Sequence, residues 1–444
     1  MTEITATLNY VLSFKPYVIL PIIIFILSLI FRIKLKNGIK AAMTMSIGFI
    51  GIFTMLNFFV SVIGPALETL VKRTGLKYNV LDVGWPPLAT MAWGFKLAAV
   101  ILIILIIFNG FLVILNFTDT INIDIWNYWH FIFMGCIVYD GTKNYILSIL
   151  AAMVADFIAL KIADYSAKGV QDMIGMTGIS TPTLSVAVYY PYAKILNKVI
   201  DKIPILNKIE ADPESIQKKL GLFGEPMVIG FLLGGFLGAF SGYDVKNILQ
   251  LAFSVAAVVY ILPEMCSILT KGIMPISEGM KDFLHKKAPN LKDKYIGLDI
   301  AIILGNPAVV VSGLLIMPIA FLLAFIVPGV NFIPLGDLPN SIGLVALIVV
   351  ASKGNVVRSV IISIPIIIAD LIIASNFAQI YTSIAKDMSI TFTGYSGTIT
   401  SFYDGGNVFR FWLLRVFEGK LWALIFIPIM ILLLYYSRSK PKVL

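Results

Sequence analysis

Apolar runs of membrane-spanning length recur along the whole chain, with short basic clusters between them. In hydrocarbon every backbone N–H and C=O must be satisfied inside the protein, so such runs form helices or break only where protein or water covers the break. A helix needs about 17–25 residues to cross roughly 30 Å of hydrocarbon. Runs are read at 17–33, 39–63, 97–115, 125–139, 145–163, 227–240, 248–262, 300–327, 342–352, 357–375 and 421–436. Those at 125–139 and 342–352 are too short to cross as one straight helix. Their ends are expected to be shielded.

Composition agrees. Charged residues make up 13% of the chain and mean hydropathy is +0.92, against about 25% charged residues in a soluble domain. The solvent for most of the chain is therefore expected to be a lipid bilayer. The net charge of +9 does not indicate nucleic acid, because no basic stripe interleaves with aromatics. The cations cluster at Arg32–Lys40, Lys194–Lys219, Lys271–Lys294, Lys353 with Arg358, and Arg438–Lys442. About eleven spans with the N-terminus outside and the C-terminus in the cytoplasm put all of these clusters inside. Lys72, Arg73 and Lys77 then fall outside, so that region is read as re-entrant or folded into the protein. Cys136 and Cys266 lie far apart in apolar runs and form no metal motif or disulfide framework; they are expected to be buried small hydrophobes. Residues 1–15 lack a basic n-region and a small-residue cleavage site, so no signal peptide is expected.

An internal repeat organises the chain. Displaced by 210 residues, Pro16, Val18 and Ile19 fall on Pro226, Val228 and Ile229; Lys36-Asn37 on Lys246-Asn247; Pro65 and Glu68 on Pro275 and Glu278. With small gaps, Leu81-Asp82 meets Leu298-Asp299, Asp124 meets Asp337, Gly141 meets Gly354, and Ala155-Asp156 meets Ala369-Asp370. Each copy holds five apolar runs. An odd number makes the second copy enter the membrane from the opposite side, the inverted repeat of alternating-access transporters. The expected fold is an all-α integral membrane protein. Residues 16–163 form the first repeat, 164–222 a cytoplasmic linker with amphipathic segments, and 226–375 the second repeat. A loop, a last helix and a basic tail follow over 376–444.

Polar residues at membrane depth mark sites. Asp82-Val-Gly-Trp-Pro-Pro87 and its repeat mate Gly297-Leu-Asp-Ile-Ala-Ile-Ile-Leu-Gly-Asn-Pro307 break helices beside an acid, and broken helices line cavities or lie buried. Each is equally readable as a turn or a kink. Asn122-Ile-Asp-Ile-Trp-Asn-Tyr-Trp-His130 combines aromatic faces with hydrogen-bonding groups, which suits a sugar or polyol with its apolar C–H face and its hydroxyls; an interfacial aromatic belt with a satisfied histidine is the bland alternative. Phe223-Gly-Glu-Pro226 reads locally as a helix start with a first-turn acid. Tyr139-Asp140 and Gly336-Asp337 superficially match the paired motifs of intramembrane aspartyl proteases. Pro334 stands where that pattern needs glycine, and Asp337 pairs by repeat with Asp124, which argues against a protease. No phosphate-binding Gly-x-x-x-x-Gly-Lys loop occurs.

These motifs, together with Gly242-Tyr-Asp-Val-Lys246, resemble the galactitol-type IIC subunits of the phosphoenolpyruvate-dependent phosphotransferase system, with order and spacing kept from about Val18 to the last run. The resemblance implies a permease rather than an enzyme, without cofactor or metal. It implies inward translocation of a hexitol or related polyol, with phosphorylation by a separate IIB subunit that receives its phosphoryl group from IIA. It also implies a homodimer whose mobile core moves like an elevator against a scaffold. The family's Gly-His is replaced here by Gly305-Asn306, and Gly178-Ile-Ser-Thr-Pro-Thr183 lacks the family's histidine, so other hexitols and pentitols stay open.

The expected substrate contacts are Asp82, Trp85, Trp129, His130, Asp299 and Asn306, with Ser180 and Thr181 from the linker. Glu225 either touches hydroxyls or locks a helix end. A proton-coupled secondary polyol transporter, with Asp82 carrying the proton, is the alternative. A channel or purely structural protein would show no saturable uptake. On the transport reading, Asp82→Asn and Asp299→Asn are expected to abolish uptake in membrane vesicles while the protein still assembles; wild-type uptake by both would overturn these assignments.

Overall fold

The computed structural model describes residues 16–74, 80–207, 209, 211–287, 293–390, 392 and 397–437. Lys77, the N-terminal residues 1–15 and the basic tail lie outside them, as does the Cys266 side chain. The chain opens with α1 (Pro16–Ile30) and the 40-residue α2 (Leu35–Thr74). Its second half restarts with α11 (Pro226–Phe240) and the 43-residue α12 (Val245–Lys287). At ~1.5 Å per residue both long helices exceed the hydrocarbon thickness.

Glycines set how closely these helices pack. A Cβ on Gly48 would lie 2.6 Å from the Leu269 backbone nitrogen, and one on Gly272 would lie 2.6 Å from that of Met45, so α2 and α12 cross antiparallel with backbones nearly touching. On α11, Gly230, Gly234 and Gly238 recur every fourth residue and form a buried stripe against Val259, Leu251 and Ile248. With no hydrophobic drive between helices in lipid, such small-residue faces let van der Waals packing hold the pair. Apolar side chains left exposed, such as Ile107, Phe253 and Ile326, face what in a membrane is lipid. Arg73 donates to the Phe240 carbonyl at 3.2 Å. That exposed cation lies at the C-terminus of α11, where it complements the helix dipole.

After each long helix the chain breaks in a related way. Strand β1 (Val80–Asp82) leads into α3 (Trp85–Gly94) and α4 (Ala98–Ile114), which meet at 92°. Strand β2 (Thr120–Asn122) and a 3-10 turn (Ile125–Asn127) precede α5 (Tyr128–Thr142) and α6 (Tyr145–Ile174). The linker holds β3 (Ile179–Ser180), α7 (Leu184–Ala187), α8 (Tyr189–Ile200), α9 (Pro204–Asn207) and α10 (Pro213–Leu220). In the second half, β4 (Tyr295–Gly297) and a 3-10 turn (Ile300–Ile303) lead to α13 (Pro307–Ile326). Then come β5 (Phe332–Ile333), α14 (Ser341–Ala351), α15 (Val356–Asp387) and β6 (Thr398–Thr400). Helices α16 (Val408–Phe417), α17 (Leu421–Ile425) and α18 (Ile427–Ser437) end the described chain.

The strands form two parallel three-stranded sheets. One has the order β5-β1-β6, with Leu81 opposite Ile333 and Ile399; the other has the order β2-β4-β3, with Ile296 opposite Ile121 and Ile179. Each takes its central strand from one half of the chain and both outer strands from the other. The fold is mostly helical, as expected, and these short strands are an addition to it. Two or three extended residues carry no readable period, and their pairing partners lie 117 to 318 residues away.

The span boundaries also differ. Among the described residues, five helices are long and apolar enough to cross a membrane, or up to seven if each bent pair counts as one span. The run at 300–327 starts as helix only at Pro307, because Asn306 caps it there. The run at 421–436 is interrupted near Phe426 and bends 113° from α16. Helix α6 continues past residue 163 to Ile174, and α15 past 375 to Asp387. The fold is thus a multi-pass helical membrane protein with two short strand clusters. Gly48→Val is expected to destabilise it by about 1–3 kcal/mol through overpacking. Gly110→Val, where a Cβ meets nothing within 4 Å, should be near neutral. Thermal unfolding in detergent compares the two.

Candidate substrate site

Four aspartates pin the broken segments. Asp82 ends β1, and its carboxylate accepts the N–H groups of Gly84 (3.1 Å), Phe402 (3.1 Å) and Asp337 (3.0 Å). Asp337 in turn accepts Trp85 N–H (3.2 Å), Tyr403 N–H (3.1 Å) and the Ser401 hydroxyl (2.8 Å). At the other sheet, Asp124 accepts Trp126 N–H (3.0 Å) and Asp299 N–H (2.9 Å), while Asp299 accepts Ala301 N–H (2.9 Å). The Thr183 hydroxyl donates to Asn127 at 2.8 Å, lies 3.3 Å from Asp299, and accepts Ile300 N–H. Each carboxylate therefore fills orphan N–H groups at the start of a helix or turn. The close approach of Gly84 (φ 70°) to Gly336 requires both glycines, since a Cβ on Gly336 would run into the Asp82 carbonyl.

Between the two clusters lies an aromatic and charged group. Trp85 opens α3 and stacks on Trp129 of α5 at 6.2 Å, with Trp126 edge-on at 6.3 Å. His130 follows Trp129 and is buried. Arg410 of α16, fully buried, lies 5.6 Å from the Trp129 ring centre and pairs with Asp404 at 2.9 Å. Its Nη2 sits 2.9 Å from His130 Nδ1. A guanidinium only donates, so Nδ1 accepts and the imidazole proton resides on Nε2. Arg410 Nε has no hydrogen-bond partner among the described residues. Asn407 caps α16 and reaches the Tyr189 hydroxyl (3.3 Å), which donates to Asp370 (2.9 Å). The linker, α15 and α16 are thereby tied together.

The expected site residues separate into groups. Trp85, Trp129 and His130 come together in the aromatic group. Asp82 and Asp299 sit in the two clusters with their oxygens directed to backbone and hydroxyl donors. This makes them holders of the broken helices, and an amide at Asp82 would present N–H to N–H, so Asp82→Asn is expected to weaken the fold as well as uptake. Ser180 lies in β3, 2.9 Å from the Thr120 hydroxyl, and Thr181 lies 3.3 Å from the Thr183 hydroxyl. Asn306 caps α13 through Ala308 N–H (3.0 Å). It lines a cavity of about 590 Å³ with Lys168, Asp172, Lys194 and Lys353. A second cavity, about 400 Å³, is lined by Lys96, Tyr139, Asp140 and Asp387. Glu225 is elsewhere, at the N-cap of α11, where its carbonyl receives Val228 and Ile229 N–H.

Sequence reasoning did not reach Arg410, Asp404 or Tyr189, and reached Asp370 only as the repeat mate of Asp156. The available signal was Arg410, one of two arginines (with Arg415) in the otherwise apolar decapeptide Val408–Phe417, in a stretch read as loop.

The chain matches the family model for the sugar-specific permease component of the phosphotransferase system over residues 10–395. It is 34% identical over 401 residues to a chain of Escherichia coli (strain K12) whose name marks it as a permease IIC component without naming a sugar. That match covers 90% of this chain and 91% of the relative. It is 33% identical over 413 residues to the galactitol-specific EIIC components of the phosphotransferase system from Escherichia coli (strain K12) and Escherichia coli O157:H7, covering 93% of this chain and 91% of each. With matches this long, on a multi-pass fold that buries aromatic, histidine and arginine side chains beside broken helices, the chain belongs to the family of phosphotransferase-system IIC permeases, the membrane transport subunits of that system.

Proposed function

We propose that this chain imports a polyol, galactitol or a related hexitol or pentitol. Import is coupled to phosphorylation by a partner IIB subunit charged by IIA. The observation that carries the reading is the group of half-buried Trp85 with buried Trp129, His130 and Arg410. Flat aromatic faces receive the C–H side of a polyol, and the imidazole Nε2–H and guanidinium Nε–H are donors suited to hydroxyls. A neutral ligand gives no charge for steering, so selectivity comes from polar groups that a wrong ligand leaves unmet. Asp82 and Asp299 position the broken helices, with Ser180 and Thr181 in the adjoining linker and Asn306 facing the larger cavity. Glu225 locks the start of α11.

The strand exchange between halves supports two inverted five-helix repeats followed by a final helix. The two cavities support alternating access. One is lined by the start of α13, the ends of α6 and α14, and linker residues of α8 and α10; the other by the end of α3, the turn before α4, and the ends of α5 and α15. The ends of α6 and α15, and of α14 and α5, correspond under the repeat. An elevator-type motion within a homodimer in the cell membrane, N-terminus outside and C-terminus cytoplasmic, completes the reading.

Uptake of labelled galactitol and other polyols into vesicles, with and without phosphoenolpyruvate and the soluble subunits, tests it. Phosphorylated polyol should accumulate only with the complete relay. Free polyol accumulating on a proton gradient, indifferent to the relay, would establish the symporter alternative. His130→Ala should lower the efficiency of uptake by about 10–100-fold, the loss of one or two buried hydrogen bonds. Uptake unchanged in His130→Ala would remove the imidazole from the site.

A further inference from the structure

Two buried side chains near Tyr128 lack opposite halves of a hydrogen bond. Asp156 on α6 is completely buried, and neither carboxyl oxygen has a partner among the described residues. The Nδ2 of Asn122, on β2, is also buried without one, although its Oδ1 accepts from Asn127 at 3.1 Å. Tyr128 connects them: its hydroxyl donates to the Asn122 carbonyl at 3.0 Å, and α6 carries Asp156 past it, since Ser148, eight residues before Asp156, donates to the Gly135 carbonyl (2.8 Å) and Asp164, eight after, receives Thr120 of β2 (2.9 Å). Tyr128 is next in sequence to Trp129 and His130.

Asp156 is an exception in this fold. Its repeat mate Asp370 receives the Tyr189 hydroxyl. Two turns along the same helix, Asp164 receives Thr118, Thr120, Lys161 and the Asp119 N–H. Buried polar groups are ordinarily satisfied, so an unmet carboxyl beside an unmet amide donor needs an occupant. An ammonium cannot accept from the amide, and an anion cannot donate to the carboxyl. A hydroxyl does both, whichever protonation state the carboxyl holds.

We propose that Asp156 and the Asn122 side-chain amide hold one hydroxyl of the transported polyol and act as specificity-determining contacts next to the aromatic group. The inference rests on the polyol reading above. A bound water has the same chemistry, so the test must separate the two sources.

Binding of galactitol, related hexitols and their monodeoxy forms is measured on the full-length protein in lipid nanodiscs, for wild type, Asp156→Asn and Asn122→Ala. Asp156→Asn should weaken binding at least about ten-fold. One monodeoxy form should cost wild type a similar factor yet cost both variants less than about two-fold, because the contact is already gone. Asn122→Ala keeps the test decisive should Asp156→Asn fail to fold. If wild type binds and the variants lose from every deoxy form as wild type does, the occupant is a structural water and the inference falls alone. If wild type binds no polyol, the transport reading falls and this inference with it.

Discussion

Everything in this fold depends on satisfying backbone polar groups where the helices break. Lipid offers no hydrogen bonds, and an unmet N–H or C=O costs several kcal/mol there. The chain breaks where strands β1 and β4 turn into short helices. At each break two devices meet the freed groups: a three-stranded parallel sheet and a pair of carboxylates. Asp82 alone takes three backbone N–H groups. Because each sheet draws strands from both halves, neither half can satisfy its own break. The two halves must therefore fold onto each other before either interior is tolerable.

That constraint explains why charge can sit at the centre. Arg410 and Asp404 form a buried pair, and removing one member of such a pair typically costs about 3–5 kcal/mol, since the other stays buried and uncompensated. The pair is kept despite the cost of desolvating it. What it adds is direction: Arg410 fixes which nitrogen of His130 accepts, and so which one donates. Asn407, Tyr189 and Asp370 hold α16 in place from the opposite side. In the polyol site proposed above, a donor is useful only if it cannot rotate away, and these contacts hold the group in place.

Much of this was legible in the sequence, for physical reasons that differ by element. Apolar runs gave the helices because lipid imposes length directly. Asp82, Asp124, Asp299 and Asp337 stood out through the repeat, since two copies of one break need the same acid at the same place. Trp85 stood out beside an acid at a helix break, and Trp129 and His130 because aromatic faces there lie next to hydrogen-bonding groups. The strands were not legible, since their signal lies in pairings such as Val80 with Phe332. Arg410 was missed for a related reason. Nothing local places residue 410 against residue 130; only the return of α16 over α5 does so. The roles of Asp82 and Asp299 also needed the fold, because a carboxylate filled by N–H groups and one open to a ligand read identically in sequence.

The repeat is symmetric in its scaffold and asymmetric in its chemistry. With Asp124 on Asp337 and Gly141 on Gly354, the register places Trp126, Trp129 and His130 over Pro339, Ile342 and Gly343. The first half thus carries the aromatic and imidazole groups, while the second presents small or aliphatic side chains at the same positions. Asp156 and Asp370 repeat the division, one with open oxygens and the other filled by Tyr189. Two equivalent sites would compete for one ligand and bind it in mirrored orientations. Keeping the acid-pinned break in both halves while placing the aromatic and imidazole groups in one gives a single group of that kind among the described residues, which is what the polyol site proposed above requires.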